Sequence, residues 1–418
     1  MTRSKRTLIG VLLLTLVVGG AVPAAAASAP PSSAGEVVLP PGQDPFYVPP
    51  AGFESSPNGT VLRSRTVTTV AFVLPLPVHS YQVLYKSLDN HGKPVAEAAT
   101  VLVPLNPWTG PGTRPLVSYQ LAEDSLSTRC QPSYTLRVGL GAPTVAATYE
   151  MTLSLAALLK GYAVVYADYE GPHSDFVSGP QAAHAILDGV RAAQQYPPTG
   201  LSGATPVGLW GYSGGGIATT WAAEQQASYA PELNVVGSAA GGVPVDLKRM
   251  LNHNDGNLGA GLGLLGFVGL VRAFPESGAM SLLNDKGRRF FTDNADACTL
   301  DIALFHPFDH LANYTKVANP AETPEAAYLF KTNNAGQATP RAPFYNYQGL
   351  ADEFVPYQPA DQLLRQYCAD GATVQKSRIP FAGHITGEAA GQQAALDYLG
   401  DRFAGKPAPN DCSAILRG

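Results

Sequence analysis

The sequence predicts an α/β protein with a mostly parallel central sheet, helices on both faces and an inserted, mainly helical cap. Short apolar runs of strand type alternate with helical segments, a pattern typical of a parallel sheet covered on both sides. The alternation breaks after about residue 243 and resumes after about residue 340. We therefore expect residues 58–242 and 341–418 to form the core and residues 243–340 to form the cap.

Residues 1–29 have the pattern of a secretory signal peptide. Basic side chains precede an apolar run from Leu8 to Gly20, and small residues suited to signal peptidase follow it. An uncleaved membrane anchor is the alternative, but the apolar run is short for a membrane span. The sequence therefore predicts a secreted protein without a transmembrane segment once the signal is removed.

Composition and cysteine content limit the partners and cofactors. The chain of 418 residues has a formal net charge of −5, so it lacks the basic surface that nucleic-acid binding requires. No cysteine has the spacing of a metal or redox site, so we expect neither a metal nor a cofactor. We also expect a monomer. An even number of cysteines in an exported chain favours two disulfides, with three pairings open. These cysteines are Cys130, Cys298, Cys368 and Cys412.

The elements of the first half follow in order. Residues 30–57 are Pro-rich and predict an extended N-terminal arm. Strand-like runs and a polar hairpin turn come next, and strands then alternate with helices. The predicted strands are 67–74, 81–87, 98–103, 116–121, 162–169, 206–211 and 235–239, and the predicted helices are 145–160, 181–196 and 217–227.

The apolar, Gly-rich segment 258–270 lies within the predicted cap. It contains a G-x-G-x-x-G pattern, but a polar stretch rather than a strand precedes it, which argues against dinucleotide binding. We expect this segment to form a hairpin that is buried or faces the substrate. Strands at 344–348 and 374–380 and helices at 359–369 and 387–403 then complete the predicted core.

Gly211-Tyr212-Ser213-Gly214-Gly215 is the most informative motif. It has the G-x-S-x-G form of a nucleophile elbow, in which a serine tops a strained strand-to-helix turn. Side chains at Gly211 and Gly215 would collide where the strand and the helix approach each other. A glycine-rich turn without catalytic function is the alternative. The strand–helix setting favours Ser213 as the nucleophile of a serine hydrolase.

A nucleophilic serine needs a basic histidine, which in the α/β-hydrolase arrangement is the last member of the triad along the chain. His384 follows the last predicted strand, where a strand-end loop would place it. The other downstream histidines fall in the predicted cap, and one pair of them lacks the glutamate of a zinc motif. They are His253, His306 and His310.

The histidine in turn needs a carboxylate that fixes its tautomer and stabilises the imidazolium. Asp352 lies at the carboxyl end of the strand before the His384 strand, where active residues of parallel sheets gather. Glu353 is the near alternative. Asp361 opens the next helix, where helix capping is the simpler interpretation.

The oxyanion of the reaction needs fixed N–H donors. We expect one donor at Gly214, the residue after the nucleophile, and a second in the loop 121–125, where Asp124 is the candidate. An ionised carboxylate would repel the oxyanion. Asp124 therefore suits the role only through its backbone N–H, or with a protonated carboxyl in an apolar site. An ordinary acidic turn is the alternative.

Beyond these motifs, the chain resembles the secretory lipase family over most of its mature length. The resemblance implies a capped α/β-hydrolase that hydrolyses lipid esters, with the triad at Ser213, Asp352 and His384. It also implies an aspartate in the oxyanion loop, which maps to Asp124. The segments that carry the resemblance are Asp44–Phe53, Ala185–Gly189, Gly211–Gly215, Tyr229–Gly237, Asp352–Pro359 and the His384 region.

The resemblance also implies a disulfide pairing. Cys130 would bond to Cys298 and join the cap to the core, and Cys368 would bond to Cys412. The sequence as a whole thus predicts a secreted serine carboxylic-ester hydrolase, a triacylglycerol lipase in the first place, acting on a lipid or other ester at a lipid–water interface. A soluble short-chain esterase or a peptidase on the same fold is the alternative within enzymes. A non-catalytic exported binding protein is the alternative outside them.

Overall fold

A nine-stranded sheet forms the centre of the computed structural model, which describes residues 37–144, 146–299, 302 and 306–417. A separate two-stranded hairpin consists of β2 and β3. In chain order the strands are β1 (Val61–Thr66), β2 (Val70–Ala71), β3 (Leu74–Pro75), β4 (Val78–Leu88), β5 (Pro94–Pro104), β6 (Leu116–Gln120), β7 (Ala163–Ala167), β8 (Val207–Tyr212), β9 (Val235–Gly241), β10 (Phe344–Gly349) and β11 (Val374–Ile379).

The sheet is antiparallel at one side and parallel through the rest. Its order is β1-β4-β5-β7-β6-β8-β9-β10-β11, and the pairs from β7 to β11 are parallel. Gln120 of β6 pairs with Gly211 of β8, and Tyr212 pairs with Gly241 of β9. Because the carboxyl ends of these strands meet at one edge, the loops that follow them are neighbours.

Helices cover both faces of the sheet. Successive residues of a strand point to opposite faces, so Leu209 of β8 packs in one apolar cluster and Trp210 in the other. The helices are α1 (Pro132–Val138), α2 (Ala146–Leu159), α3 (Gly179–Gln195), α4 (Ser213–Tyr229), α5 (Leu247–Asn254), α6 (Ala260–Ala273), α7 (Asp285–Asp293), α8 (Pro324–Asn333), α9 (Tyr357–Ala369), α10 (His384–Phe403) and α11 (Cys412–Arg417).

The predicted fold class is confirmed, but several local predictions are wrong. The stretch predicted as a strand at 67–74 contains only the short β2–β3 hairpin, and the long strand β1 precedes it. The predicted hairpin at 258–270 is instead mostly the helix α6. Its glycines permit close packing: a Cβ on Gly269 would lie 2.7 Å from the carbonyl oxygen of Phe176. Burial of α6 against the loop that contains Phe176 offsets the low helix propensity of glycine.

The described part of the N-terminal arm is folded back on the core rather than extended. Residues 41–55 form three short 3₁₀ turns, and Phe46 is buried with Leu84 and Ala98. Arg65 binds the Asp44 carboxylate at 2.7 Å and anchors the arm. Residues 1–36, including the predicted signal peptide, lie outside the described part of the chain. Among the residues that are described, none of the helices has the length and apolarity needed to cross a bilayer.

Two disulfides are present. Cys130, next to α1, is bonded to Cys298 between β9 and β10, and the two Cα atoms are 6.0 Å apart. Cys368 of α9 is bonded to Cys412 of α11, with a Cα separation of 5.2 Å. These are the pairs that the family resemblance implies.

Candidate active site

Ser213 lies at a strained turn between a strand and a helix. It is the first residue of α4, directly after β8, and its φ angle is +55°. The left-handed conformation costs a non-glycine residue about 1–2 kcal/mol. A Cβ on Gly211 would lie 2.3 Å from the carbonyl oxygen of Gly215, and a Cβ on Gly215 would lie 1.9 Å from that of Gln120. Both positions therefore require glycine.

His384 and Asp352 lie beside this serine. His384 Nε2 is 2.8 Å from Ser213 Oγ, and His384 Nδ1 is 2.8 Å from Asp352 Oδ2. Asp352 follows β10, and His384 begins α10 shortly after β11. The three side chains thus form one hydrogen-bonded chain at the carboxyl ends of parallel strands. This arrangement can remove a proton from a serine hydroxyl.

The carboxylate of Asp352 is buried and fixed in orientation. Its Oδ1 accepts hydrogen bonds from the backbone N–H groups of Phe354 at 3.1 Å and Val355 at 2.8 Å. Gln348 Nε2 donates to Oδ2 at 3.4 Å. These contacts leave Oδ2 facing the histidine ring.

Glu353, the alternative acid, has a different contact. Its Oε2 accepts a hydrogen bond from the backbone N–H of His384 at 2.9 Å, at the start of α10. A carboxylate at this point satisfies a free helix N–H and interacts favourably with the helix dipole. Glu353 therefore holds the backbone of His384 rather than its ring.

The three other downstream histidines form hydrogen bonds with groups other than the serine. His253 Nε2 is 3.0 Å from the carbonyl oxygen of Glu353. His306 Nδ1 lies 3.3 Å from Asp309, and His310 Nδ1 lies 2.9 Å from Asp255. In the part of the chain that the structure covers, no group of three or more His, Cys, Asp or Glu side chains is placed to hold a metal ion.

Asp124 lies directly against the residue after the serine. An added Cβ on Gly214 would be 1.8 Å from Asp124 Oδ1, an oxygen that is buried without a hydrogen-bond partner. Asp124 has a φ angle of +42°, so its loop is locally strained. Burial raises the pKa of Asp124 to about 6, against an opposing effect of His384. Below that pH the carboxyl is mostly neutral and does not repel an oxyanion.

Two buried glutamates hold the loop around Asp124, and the sequence motifs do not indicate either of them. Both Glu150 oxygens accept from the backbone N–H of Ala122, at 3.1 and 3.0 Å. Glu170 accepts from the backbone N–H and the hydroxyl of Ser125, at 3.2 and 2.9 Å. Burial raises the pKa of both carboxyls well above the ordinary value. Glu150 is the only acidic residue in the sequence from 145 to 160. An isolated acid in an otherwise mostly apolar helix indicates that its carboxylate has a polar partner.

An apolar space begins next to Gly214. A small cavity is lined by Gly214, Ile217, Trp221, Phe176 and Val177. The latter two also line a second apolar cavity beneath α6. The two cavities thus share Phe176 and Val177, and the second includes residues of the 243–340 segment.

The sheet is mostly parallel, a serine lies at the strand-to-helix elbow, and an aspartate and a histidine follow later strands. These features define an α/β-hydrolase of the lipase and esterase class. The model of the secretory lipase family matches residues 136–411. The chain belongs to this family.

Individual relatives agree with this assignment. A Mycobacterium tuberculosis protein described as a probable inactive lipase is 38% identical over 88% of this chain and 84% of its own. A secreted triacylglycerol lipase of Malassezia restricta is 34% identical over 88% of this chain and 80% of its own. The crystal structure of Candida antarctica lipase A in its closed state superposes with a TM-score of 0.82 at 32% identity, covering 91% of this chain and 96% of that one.

Proposed function

We propose that this protein is a secreted triacylglycerol lipase that works through an acyl-enzyme on Ser213. One observation carries the proposal: the hydrogen-bonded chain from Ser213 Oγ through the His384 ring to Asp352, with both distances at 2.8 Å. A serine hydroxyl becomes a nucleophile when a base of this kind takes its proton. Because the family comprises lipases, the attacked bond is the ester of a lipid.

The proposed reaction has two halves. In the first, Ser213 Oγ attacks the ester carbonyl while His384 Nε2 takes the hydroxyl proton, and Asp352 stabilises the imidazolium. The backbone N–H groups of Gly214 and Asp124 bind the oxyanion. His384 then gives its proton to the leaving alcohol. In the second half, His384 activates a water molecule that releases the acid and restores Ser213.

The 243–340 segment is proposed as the cap of this enzyme, and residues 58–242 and 341–418 as its core. Phe176 and Val177 line two apolar cavities, of which one includes Gly214 and the other includes residues of the helix α6. An acyl chain bound to Ser213 would find apolar walls there, because apolar cavities bind apolar ligands. Residues 1–29 are proposed to direct secretion, as the names of the family and of the Malassezia relative suggest.

Inactivity is the alternative that one relative raises. The Mycobacterium tuberculosis protein is described as probably inactive, so family membership alone does not establish turnover. The nucleophile, base and acid candidates of this chain lie within hydrogen-bonding distance of each other. That geometry supports catalysis over a purely binding function.

Hydrolysis assays of the mature protein and its Ser213→Ala variant test the proposal. The substrates are emulsified triolein, a soluble short-chain nitrophenyl ester and a peptide anilide. We expect wild-type turnover of both esters, no turnover of the anilide, and loss of ester turnover in the variant. Turnover of the anilide, of the short ester alone, or of esters by the folded variant would contradict the proposal. Absence of all turnover in the folded wild type would favour the inactive alternative.

A further inference from the structure

The backbone N–H groups on either side of Asp124 donate to other groups of the protein. Their acceptors are Glu150 for Ala122, the Leu121 oxygen for Glu123, Glu170 for Ser125 and the Ala297 oxygen for Leu126. Within the described part of the chain, the N–H of Asp124 has no such acceptor. Buried backbone N–H groups are nearly always paired, so this one is available to a substrate oxygen.

The hydroxyl of Thr299 contacts the backbone on both sides of the Asp124 Cα atom. Thr299 Oγ1 donates to the carbonyl oxygen of Glu123 at 3.3 Å and to that of Asp124. Because a hydroxyl has one proton to donate, the two carbonyl groups share it. These carbonyl groups belong to the 123–124 and the 124–125 peptides, so a single side chain from the 243–340 segment contacts both.

The two peptides are held to different degrees. The 124–125 peptide has a partner at each end, since its C=O accepts from Thr299 and its N–H, on Ser125, donates to Glu170. The 123–124 peptide is held at its C=O, and among the residues that the structure describes Thr299 is the one donor to it. The orientation of the Asp124 N–H, at the other end of this peptide, therefore depends on Thr299.

The planarity of the peptide bond relates the contact at one end to the direction of the other end. The C=O and N–H groups of a trans peptide lie in one plane and point in opposite directions. Because the Glu123 carbonyl points to Thr299, the N–H of Asp124 points away from it. The Asp124 residue itself lies next to Gly214, since a Cβ on Gly214 would be 1.8 Å from Asp124 Oδ1.

Backbone strain at Asp124 favours a different orientation of the 123–124 peptide. Asp124 has a φ angle of +42°, in a region that costs a non-glycine residue free energy. Rotation of this peptide by about half a turn would bring φ into the ordinary negative range and would also reverse the N–H. The rotation would break the hydrogen bond from Thr299 to the Glu123 carbonyl. That bond therefore opposes the relaxation of the strain.

The position of Thr299 is fixed by its neighbours in the chain. Leu126 N donates to the carbonyl oxygen of Ala297 at 2.9 Å. Cys298, directly before Thr299, is bonded to Cys130. A hydrogen bond and a disulfide thus hold the residues before Thr299 against the core, and its hydroxyl has a fixed place beside the loop 121–126.

We propose that Thr299 is a positioning residue of the oxyanion hole, whose hydroxyl holds the 123–124 peptide so that the N–H of Asp124 binds the oxyanion. The inference rests on the proposed function, in which Ser213 attacks an ester carbonyl and Asp124 supplies one of two donors. Thr299 acts through the backbone of Asp124 and does not touch the reacting atoms. Its effect should fall on the transition state, because charge develops on the substrate oxygen there.

Substitution of Thr299 tests the proposal. Thr299→Val removes the hydroxyl and keeps the shape of the side chain. On a soluble short ester, kcat should fall by about tenfold to a hundredfold with KM unchanged, because loss of one oxyanion donor costs about a hundredfold or more. Thr299→Ser keeps a hydroxyl and should restore most of kcat. Thr315→Val is the matched control, because the Thr315 hydroxyl in the same segment donates to the Val317 oxygen at 2.8 Å.

The affinity for a short alkyl boronic acid distinguishes positioning from a purely structural role. A boronic acid bonds to the nucleophilic serine as a tetrahedral adduct that resembles the transition state. Its inhibition constant should rise in Thr299→Val by about the same factor as kcat falls. Urea unfolding measures the stability of the same proteins. A structural role would lower stability and leave kcat and the inhibition constant at their wild-type values.

Several outcomes would overturn the inference. They are a wild-type kcat in folded Thr299→Val, a loss in KM alone, a Thr299→Ser variant as slow as Thr299→Val, and an equal loss in Thr315→Val. If Thr299→Val does not fold, Thr299→Ala removes the same hydroxyl without a branched side chain and is judged by the same criteria. Absence of ester turnover in the wild type, or turnover by Ser213→Ala, would instead overturn the proposed function.

Discussion

The Glu353 side chain accepts a hydrogen bond from the backbone N–H of His384 at 2.9 Å. The neighbouring carboxylate of Asp352 lies 2.8 Å from the ring atom Nδ1. Two adjacent acids thus hold one histidine at two different atoms. Their roles follow from these contacts, and substitution can separate them.

Asp352→Asn should lower kcat by about ten-thousandfold, because an amide neither stabilises the imidazolium nor fixes the productive tautomer. Glu353→Gln, the matched control at the next position, should lower kcat by less than about tenfold, because its amide oxygen still accepts from His384 N. Steady-state kinetics on a soluble ester measure both. A larger loss in Glu353→Gln than in Asp352→Asn would reverse the assignment.

Asp124 should give the activity an alkaline limit. Burial raises its pKa to about 6, and above that pH an ionised carboxylate lies against Gly214, the proposed oxyanion donor. Wild-type kcat should therefore fall as the pH rises through this value, and an Asp124→Asn variant should lack that fall. A pH profile of kcat from 4 to 9 for both proteins checks this. Identical profiles would show that Asp124 does not titrate in the reaction.

The same raised pKa predicts a dependence of stability on pH. A carboxyl with a raised pKa in the fold contributes stability that is fully present below its unfolded value and is lost as the pH rises through the folded value of about 6. The contribution lost is up to about 3 kcal/mol. Urea unfolding at pH 4 and pH 7.5 should show the wild type losing stability relative to Asp124→Asn. A constant difference between the two proteins would contradict this.

Ser213 should be a site of stored strain. Its φ angle is +55°, which glycine adopts without cost. Both Ser213→Gly and Ser213→Ala remove the proposed nucleophile, but we expect the glycine variant to be more stable than the alanine variant by about 1 kcal/mol. Denaturant titration of the two inactive proteins measures the difference. Equal stability would mean that the turn is not strained.

Gly215 should not tolerate a side chain. A Cβ there would lie 1.9 Å from the Gln120 carbonyl oxygen, so either α4 or β6 would have to move. Gly215→Ala should lower the free energy of unfolding by about 3 kcal/mol or more and abolish activity. Gly203→Ala is the control, because nothing lies within 4 Å of a Cβ at that position. A stable, active Gly215→Ala protein would refute the close approach.

The disulfide between Cys130 and Cys298 should contribute more stability than the one between Cys368 and Cys412. The first closes a loop of 168 residues and the second a loop of 44. A disulfide stabilises the fold by restricting the unfolded chain, more so for a longer loop. Removal of the first disulfide should therefore lower the free energy of unfolding by about 5 kcal/mol, and removal of the second by about 4 kcal/mol. Double Cys→Ala variants in denaturant measure both losses. A larger loss for the shorter loop would point to native contacts rather than chain entropy.

The sequence predicts the sheet and the candidate triad because both depend on order along the chain. Apolar runs that alternate with helices give the parallel sheet, and Asp352 and His384 each follow a later strand. The pattern does not predict helix α6, because glycine has low helix propensity and the close packing of Gly269 against Phe176 joins distant parts of the chain. The contacts of Glu150 and Glu170 with the Asp124 loop join distant parts of the chain, which local patterns do not reveal.

The most direct measurement of the central claim is the reaction of the mature protein with a fluorophosphonate, followed by mass-spectrometric mapping of the adduct. An assembled Ser213–His384–Asp352 site predicts one adduct, on Ser213, that is absent from Ser213→Ala and forms far more slowly in Asp352→Asn. An adduct on a different residue, or no adduct on a correctly folded wild-type protein, would contradict the account.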